Sequence, residues 1–254
     1  MHILLTNDDG IHASGLLTLC EVLAGAGHRI SVCAPDRERS AASHSATLNM
    51  PMHPREVAVP RAARAWEVDG TPADCARLGL YLVKDDPVDL VISGINRGMN
   101  MGGAAVYSGT VAAAMEAAMC GATALASSLC TTNWFGEDDY SAAARLTERV
   151  ARWAIGHPLP RGVIYSLNVP LLPYEELRGL VPAKLAPVFL ETPEYEPGED
   201  AQGVCYHYRK GISPPMDDPD YDVVRVEAGY AVLTKLTWDF RQCADDSELL
   251  EIGL

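Results

Sequence analysis

Two adjacent carboxylates stand where chemistry is easiest to read. The segment Asn7-Asp8-Asp9-Gly10 follows directly on a short β-forming run, His2–Thr6. Neighbouring side chains in a strand face opposite ways. Both acids meet at one point only where the chain has left strand geometry, and Gly10 eases that departure. Two carboxylates held close repel unless a cation or a proton lies between them. Oxygen ligands of this kind suit a hard divalent ion such as Mg²⁺ or Mn²⁺. The same residues also read as an ordinary Asp-Asp-Gly turn feeding a helix.

Two more polar segments follow apolar runs. Residues 35–45 read Pro-Asp-Arg-Glu-Arg-Ser-Ala-Ala-Ser-His-Ser. The hydroxyls there, Ser40 among them, suit a metal or phosphate, and the arginines attract an anion; a solvated surface loop is the plainer reading. His44 suits protonation of a leaving alkoxide, or is a surface residue. Residues 94–103, GINRGMNMGG, hold four glycines together with Asn96 and Asn100, which allows close backbone approach to a ligand. That loop runs into Ser108-Gly109-Thr110, which opens a helix. The free N–H groups and dipole of a helix start favour an anion. Ser108 by itself also reads as a simple N-cap, and Tyr107 as packing rather than stacking on a base.

The elements that must position these groups alternate. Strands are expected at residues 2–6, 29–34, 65–68, 88–93, 122–127, 163–169 and 229–236. Helices are expected after Ser14 as N-cap, over 73–83 behind Thr71-Pro72, over 108–120 stopped by Gly121, over 140–155 and over 245–252. Largely apolar strands alternating with helices make an α/β fold, Rossmann-like and doubly wound, with a mostly parallel sheet. In such a sheet the three polar loops share one edge, beyond the carboxyl ends of the strands. Their chemistry is complementary. Asp8 and Asp9 bind one divalent ion and orient the attacking water or accept its proton. Ser40 and Asn96 add neutral oxygens, Ser108-Gly109-Thr110 receives a phosphate, and Asn100 is a further contact. Residues 1–160 are expected to form the core that carries the metal site. Residues 161–254 complete it and add a β-containing extension, since residues 186–222 are rich in Pro, Gly, Tyr and acids.

Composition sets limits. The 254 residues carry 20 Lys and Arg against 34 Asp and Glu, a formal net charge of -14. That excess argues against long nucleic acid, which needs a cationic surface. It also means that an anionic substrate needs local positive charge. Apolar residues at 48% exclude a disordered chain. No apolar run is long enough for a membrane span, and the N-terminal residues lack a basic leader, so a cytoplasmic location is expected. The seven cysteines, with no CxxC pair, read as buried free thiols in a reducing compartment.

The segments ILLTNDDGIHASGL, APDRERSAASHS, VDGTPADCARLGL, DLVISGINRGMNMG and YSGTVAAAMEA resemble the SurE survival proteins, which are metal-dependent 5'/3'-nucleotidases. Weaker echoes are SLNVP and DYDVVRVEAGYAVLTKL, so the likeness spans residues 3–236. The resemblance implies metal ligands at Asp8, Asp9, Ser40 and Asn96. It further implies a Rossmann-like core, a C-terminal β extension that builds dimers or tetramers, and nucleoside monophosphate substrates. Short polyphosphate is a substrate of some members. Two departures are Ala104, where the family usually has an acid, and Thr234-Lys235, where it usually has Thr-Pro. They weaken most the inference of substrate preference. Two rivals remain distinguishable. A covalent aspartyl-phosphate enzyme of the haloacid dehalogenase type prefers Asp-x-Asp, whereas these acids are adjacent. A non-catalytic nucleotide or metal sensor on the same fold, or a broader phosphatase, would bind without turnover or turn over more widely.

Overall fold

A computed structural model describes residues 1–131, 137–187, 194–201, 203–209 and 218–238. The strands of its main sheet are β1 (His2–Thr6), β2 (Arg29–Pro35), β3 (Arg55–Glu56), β4 (Arg64–Val68), β5 (Leu90–Arg97), β6 (Ala124–Cys130), β7 (Val163–Pro170) and β8 (Leu180–Pro182). A hairpin of β9 (Glu194–Asp200) and β10 (Gly203–Arg209) pairs within itself, and β11 (Ala231–Thr237) returns to the main sheet. The helices are α1 (Ser14–Gly25), α2 (Pro72–Leu82), α3 (Gly109–Met119), α4 (Ser141–Ile155) and α5 (Asp222–Glu227).

The main sheet has nine strands in the order β3-β4-β2-β1-β5-β6-β7-β11-β8. From β4 through β7 all pairs are parallel. The antiparallel pairs are β3 with β4 and β11 with β7. The fold is α/β. The chain builds outward from β1 through β2 and β4, then returns to place β5 on the other flank of β1. The direction of winding therefore reverses between β1 and β5, which is where open sheets of this kind bind ligands.

Alternation in β1 explains the two covered faces. Ile3 and Leu5 enter one core with Leu16, Leu19, Ile92 and Val150, under α1 and α4. Leu4 enters the other with Cys33, Val91, Val111 and Ala114, under α2 and α3. A strand buried on both sides needs apolar residues at every position, which is what residues 3–5 supply. Helix α2 starts with a reciprocal cap: Thr71 Oγ1 accepts from Asp74 N–H at 3.2 Å, and Asp74 Oδ2 accepts from Thr71 N–H at 2.9 Å.

Several boundaries differ from the expectations. Ser14 is the first residue of α1 rather than its cap; Ala13 holds the cap position with no side-chain hydrogen bond. Strand β5 begins at Leu90 and continues through Asn96 and Arg97, past a register shift between Ser93 and Asn96. Four of the ten residues of the expected glycine loop are thus strand. Strand β6 starts two residues later than expected and ends at Cys130. The short strands β3 and β8 carry too few residues for a period-2 pattern; the hairpin β9–β10 falls within the stretch where the β-containing extension is expected. The expected helix over 245–252, and Cys243, lie outside the described residues. All six described cysteines are free. Cys20, Cys33 and Cys75 are buried, but Cys120 is exposed and Cys130 and Cys205 are half-buried. Among the described residues no helix is long and apolar enough to cross a membrane.

Helix α1 sits backbone to backbone on β5. A Cβ on Gly15 would lie 2.1 Å from the Ile95 carbonyl oxygen, whereas one on Gly25 would meet nothing within 4 Å. Gly15→Ala is therefore expected to cost at least about 2 kcal/mol. Gly25→Ala, at the other end of the same helix, is expected to be neutral or to stabilise by up to about 1 kcal/mol. Urea unfolding midpoints of the two variants check both signs.

Candidate active site

The sequence Asp8-Asp9-Gly10 leaves β1 at the winding reversal. Gly10 has φ +98°, and a Cβ there would press on the Arg37 backbone at 3.1 Å. The turn is further held by Asn7, whose Nδ2 donates to Gly10 O at 2.8 Å. The loop after β2 is bound to this turn through backbone: Ile11 N–H donates to Pro35 O at 2.9 Å, and Arg39 N–H to Asp8 O at 2.7 Å. Ser40 is thereby carried to the diacid.

Asp8 and Asp9 occupy different surroundings. Asp8 is 5% exposed and faces the start of α3. Its Oδ2 accepts from Thr110 N–H at 3.1 Å, and its Oδ1 accepts from the Thr110 hydroxyl. Burial still holds its carboxyl above the ordinary range. Gly109 makes the approach possible, since a Cβ there would lie 2.9 Å from both Asp8 Cβ and Asp8 Oδ2. Asp9 lines a cavity instead, with Oδ2 accepting from Arg97 N–H at 3.1 Å. Burial first, then the charge of Asp8, push the Asp9 carboxyl up to about 7. That is the signature of two acids sharing a site with no cation between them.

The remaining expected residues are distributed as follows. Asn96 ends β5, and its Nδ2 donates to Gly98 O at 2.8 Å, which leaves Oδ1 as an acceptor. Ser40 is exposed, with its hydroxyl donating to Glu38 Oε1 at 2.5 Å. Ser108 caps α3, its Oγ accepting from Val111 N–H at 3.0 Å. Asn100 is clamped in a buried network rather than displayed. Its N–H donates to Asn168 Oδ1 at 2.9 Å and its Nδ2 to Ser128 Oγ at 2.9 Å. Asn168 belongs to the SLNVP segment and returns a bond to Asn100 O at 3.2 Å.

The cavity beside Asp9 has a volume of about 610 Å³ and is lined among others by Glu38, Ser40, Arg97, Asp138 and Tyr140. Arg97 Nε donates to the buried Asp138 at 3.0 Å. The Tyr140 hydroxyl is pushed up to about 12 by burial and by Asp9. Sequence reasoning missed Arg97, Asp138 and Tyr140. Only the adjacency of Arg97 to Asn96 hinted at any of them. A second cavity of about 420 Å³, between α4 and β11, is mainly apolar and holds none of these residues.

The donor set fits a hard cation. Asp8, Asp9, Ser40 and Asn96 are oxygen donors, and of these Asp9 and Ser40 line the same cavity. Asp8 and Asp9 are carboxylates whose proton affinity is raised, first of all by burial. Among the described residues no three of His, Cys, Asp and Glu converge as a metal group. A site here therefore needs the neutral serine and asparagine oxygens.

A family model described as survival protein SurE matches residues 3–189. A 5'-nucleotidase SurE of Synechococcus sp. (strain JA-3-3Ab) is 40% identical, covering 100% of this chain and 98% of that one. One of Geobacter sulfurreducens is also 40% identical, covering 98% and 92%. The crystal structure of the SurE protein from Aquifex aeolicus superposes with a TM-score of 0.84 at 29% identity, covering 99% and 100% of the two chains.

The Asp9 shift sets a pH dependence for the metal-free protein. Its folded value of about 7 lies above the ordinary 3.8, so the folded state binds the proton more tightly. That contribution to stability is complete below about pH 4 and is lost as pH rises through about 7. Asp9→Asn removes the penalty. In chelator at about pH 8 its melting temperature should exceed wild type by roughly 2–4 °C for each kcal/mol relieved. The gain should shrink as pH falls toward about 4, and thermal denaturation across that range checks it.

Proposed function

The chain belongs to the SurE survival protein family, and from that premise we propose that it is a metal-dependent 5'-nucleotidase that hydrolyses nucleoside monophosphates to nucleoside and phosphate. The observation that carries the reading is the Asp8-Asp9 pair at the winding reversal, both held above the ordinary carboxylate range beside a polar cavity. Activity on 3'-monophosphates is part of the same proposal.

Asp8, Asp9, Ser40 and Asn96 would hold one divalent ion, Mg²⁺ or Mn²⁺. Bound there, the ion screens the phosphate charge and acidifies a water. The protein's own groups do the rest. Asp8 is fixed by the α3 start, so its position is set before substrate arrives. Asp9, at the cavity wall, orients the attacking water and accepts its proton. Ser108 and Gly109, at the N-terminus of α3, take the phosphate oxygens together with the dipole of that helix. Thr110 acts one step back: both its donors serve Asp8, so it supports the site through that carboxylate. Asn100 holds the glycine-rich loop in place through Ser128 and Asn168.

The proposal extends to assembly and location. The self-paired hairpin β9–β10 carries exposed Tyr195, Val204 and Tyr206, which suits an extension that joins copies of the chain as a dimer or tetramer. Residues 1–160 then form the catalytic core and 161–254 its completion and extension, in a cytoplasmic enzyme.

Asp9→Asn is expected to lower Mn²⁺-dependent phosphate release from AMP and GMP by at least about a thousandfold, about 4 kcal/mol, with the fold intact by circular dichroism. Chelator should abolish wild-type release, and restored Mn²⁺ should return it. Full activity in the variant, or tight nucleotide binding without turnover by wild type, overturns the reading.

A further inference from the structure

A strap over residues 43–47 crosses the starts of α2 and α3. At one end Ser43 N–H donates to Tyr107 O at 3.1 Å, and its hydroxyl donates to Val106 O at 2.8 Å. At the other end the Thr71 hydroxyl donates to Ser45 O at 2.8 Å, and Thr47 N–H donates to Asp74 Oδ1 at 3.0 Å. The two helix starts meet beside the diacid: a Cβ on Gly109 would lie 2.9 Å from Asp8 Oδ2 and 3.1 Å from Pro72 Cγ. The strap therefore runs past the helix starts that meet at Asp8, and His44 itself bonds further along α3, at Glu116.

His44 sits in this strap, and its orientation is fixed from below. Its Nε2 is 2.9 Å from Glu116 Oε2 on α3. Glu116 is only 6% exposed. Its other oxygen accepts from Arg77 Nε on α2 at 2.7 Å. The bonds from Arg77 and His44 hold the carboxyl below its ordinary range in spite of burial. A buried carboxylate is costly unless fully bonded. Arg77 alone would suffice to tie α2 to α3; the second oxygen instead fixes an imidazole. With Nε2–H given to Glu116, Nδ1 is the ring atom left to exchange a proton. The side chain is 34% exposed, so the ring reaches solvent.

We propose that His44 is the acid that protonates the leaving ribose oxygen, and that Glu116, braced by Arg77, is its positioning residue. The inference rests on the nucleotidase reading. As the P–O bond to the ribose breaks, its electron pair passes to the ribose oxygen, which takes the Nδ1 proton of the imidazolium. The water oxygen forms the new bond to phosphorus, and the proton it loses goes to Asp9. The imidazole regains its proton from solvent.

The test compares two leaving groups at saturating Mn²⁺. A ribose alkoxide must be protonated to leave, whereas p-nitrophenolate departs as the anion. His44→Gln should lower kcat on AMP by about a hundredfold or more, with KM little changed, and should lose far less on p-nitrophenyl phosphate. Glu116→Gln should lose in the same pattern to a smaller degree. His44→Gly should regain AMP turnover on addition of free imidazole, a readout that holds even if p-nitrophenyl phosphate is a poor substrate. Equal losses on both substrates, a change in KM alone, unaltered AMP turnover in His44→Gln, or failure of imidazole rescue overturns the assignment. If the wild type releases phosphate from neither substrate, the nucleotidase reading falls, and this assignment with it.

Discussion

The structure depends on the reception of one carboxylate by one helix. Asp8 leaves the end of β1 and is met by the first turn of α3, with both its oxygens bonded to Thr110. A buried anion at a helix N-terminus is favoured by the dipole and by the otherwise unpaired N–H groups. The same contact sets the distance between β1 and α3, because Gly109 leaves no room for a side chain between them. It also explains why Asp8 and Asp9 behave differently. The helix absorbs the first, and the second turns to the cavity, where it accepts from the Arg97 N–H.

Three loops come to that point because the sheet reverses its winding there. Each loop is then joined to the diacid turn by backbone, as in the Arg39–Asp8 bond, or by a side chain bonded to backbone, as in Asp9–Arg97. Bonds of this kind do not depend on the side chains at the loop positions. The loops can vary in sequence while the diacid stays in place.

What could be read from the residues follows from how local each signal is. The apolar triplet in β1 and the Thr71-Pro72 helix start are complete within a few residues, and both stand where they were expected. Ser14 carried the right type for a cap but lies inside α1, because the turn at residues 10–13 places Ala13 at the boundary. The continuation of β5 through Asn96 is imposed by pairing with β6, a partner about thirty residues away that local glycine content cannot announce. At the site, the four oxygen donors were legible as types. The attachment of Thr110 to Asp8 spans 102 residues and was not. Neither was the Glu116 carboxylate behind His44, 72 residues distant and reading as one more acid in an alanine-rich helix. Asn100, expected as a substrate contact or as a group just behind one, is bonded to Ser128 and Asn168.

Charge accounts for the rest of the arrangement. The chain carries a net charge of -14, and the cavity beside Asp9 is lined by Glu38, Glu137 and Asp138, with Arg97 on the same lining and already paired to Asp138. A phosphate dianion entering such a cavity meets repulsion in a medium where screening is weak. A cation at the diacid and the N-terminus of α3 are therefore conditions of binding as well as of chemistry. On the proposed reading, the acids around the cavity make a cation necessary, and Asp8 and Asp9 would hold it. Burial first, and the charge of Asp8 second, hold Asp9 up to about 7, a cost that a divalent ion bound there would lower.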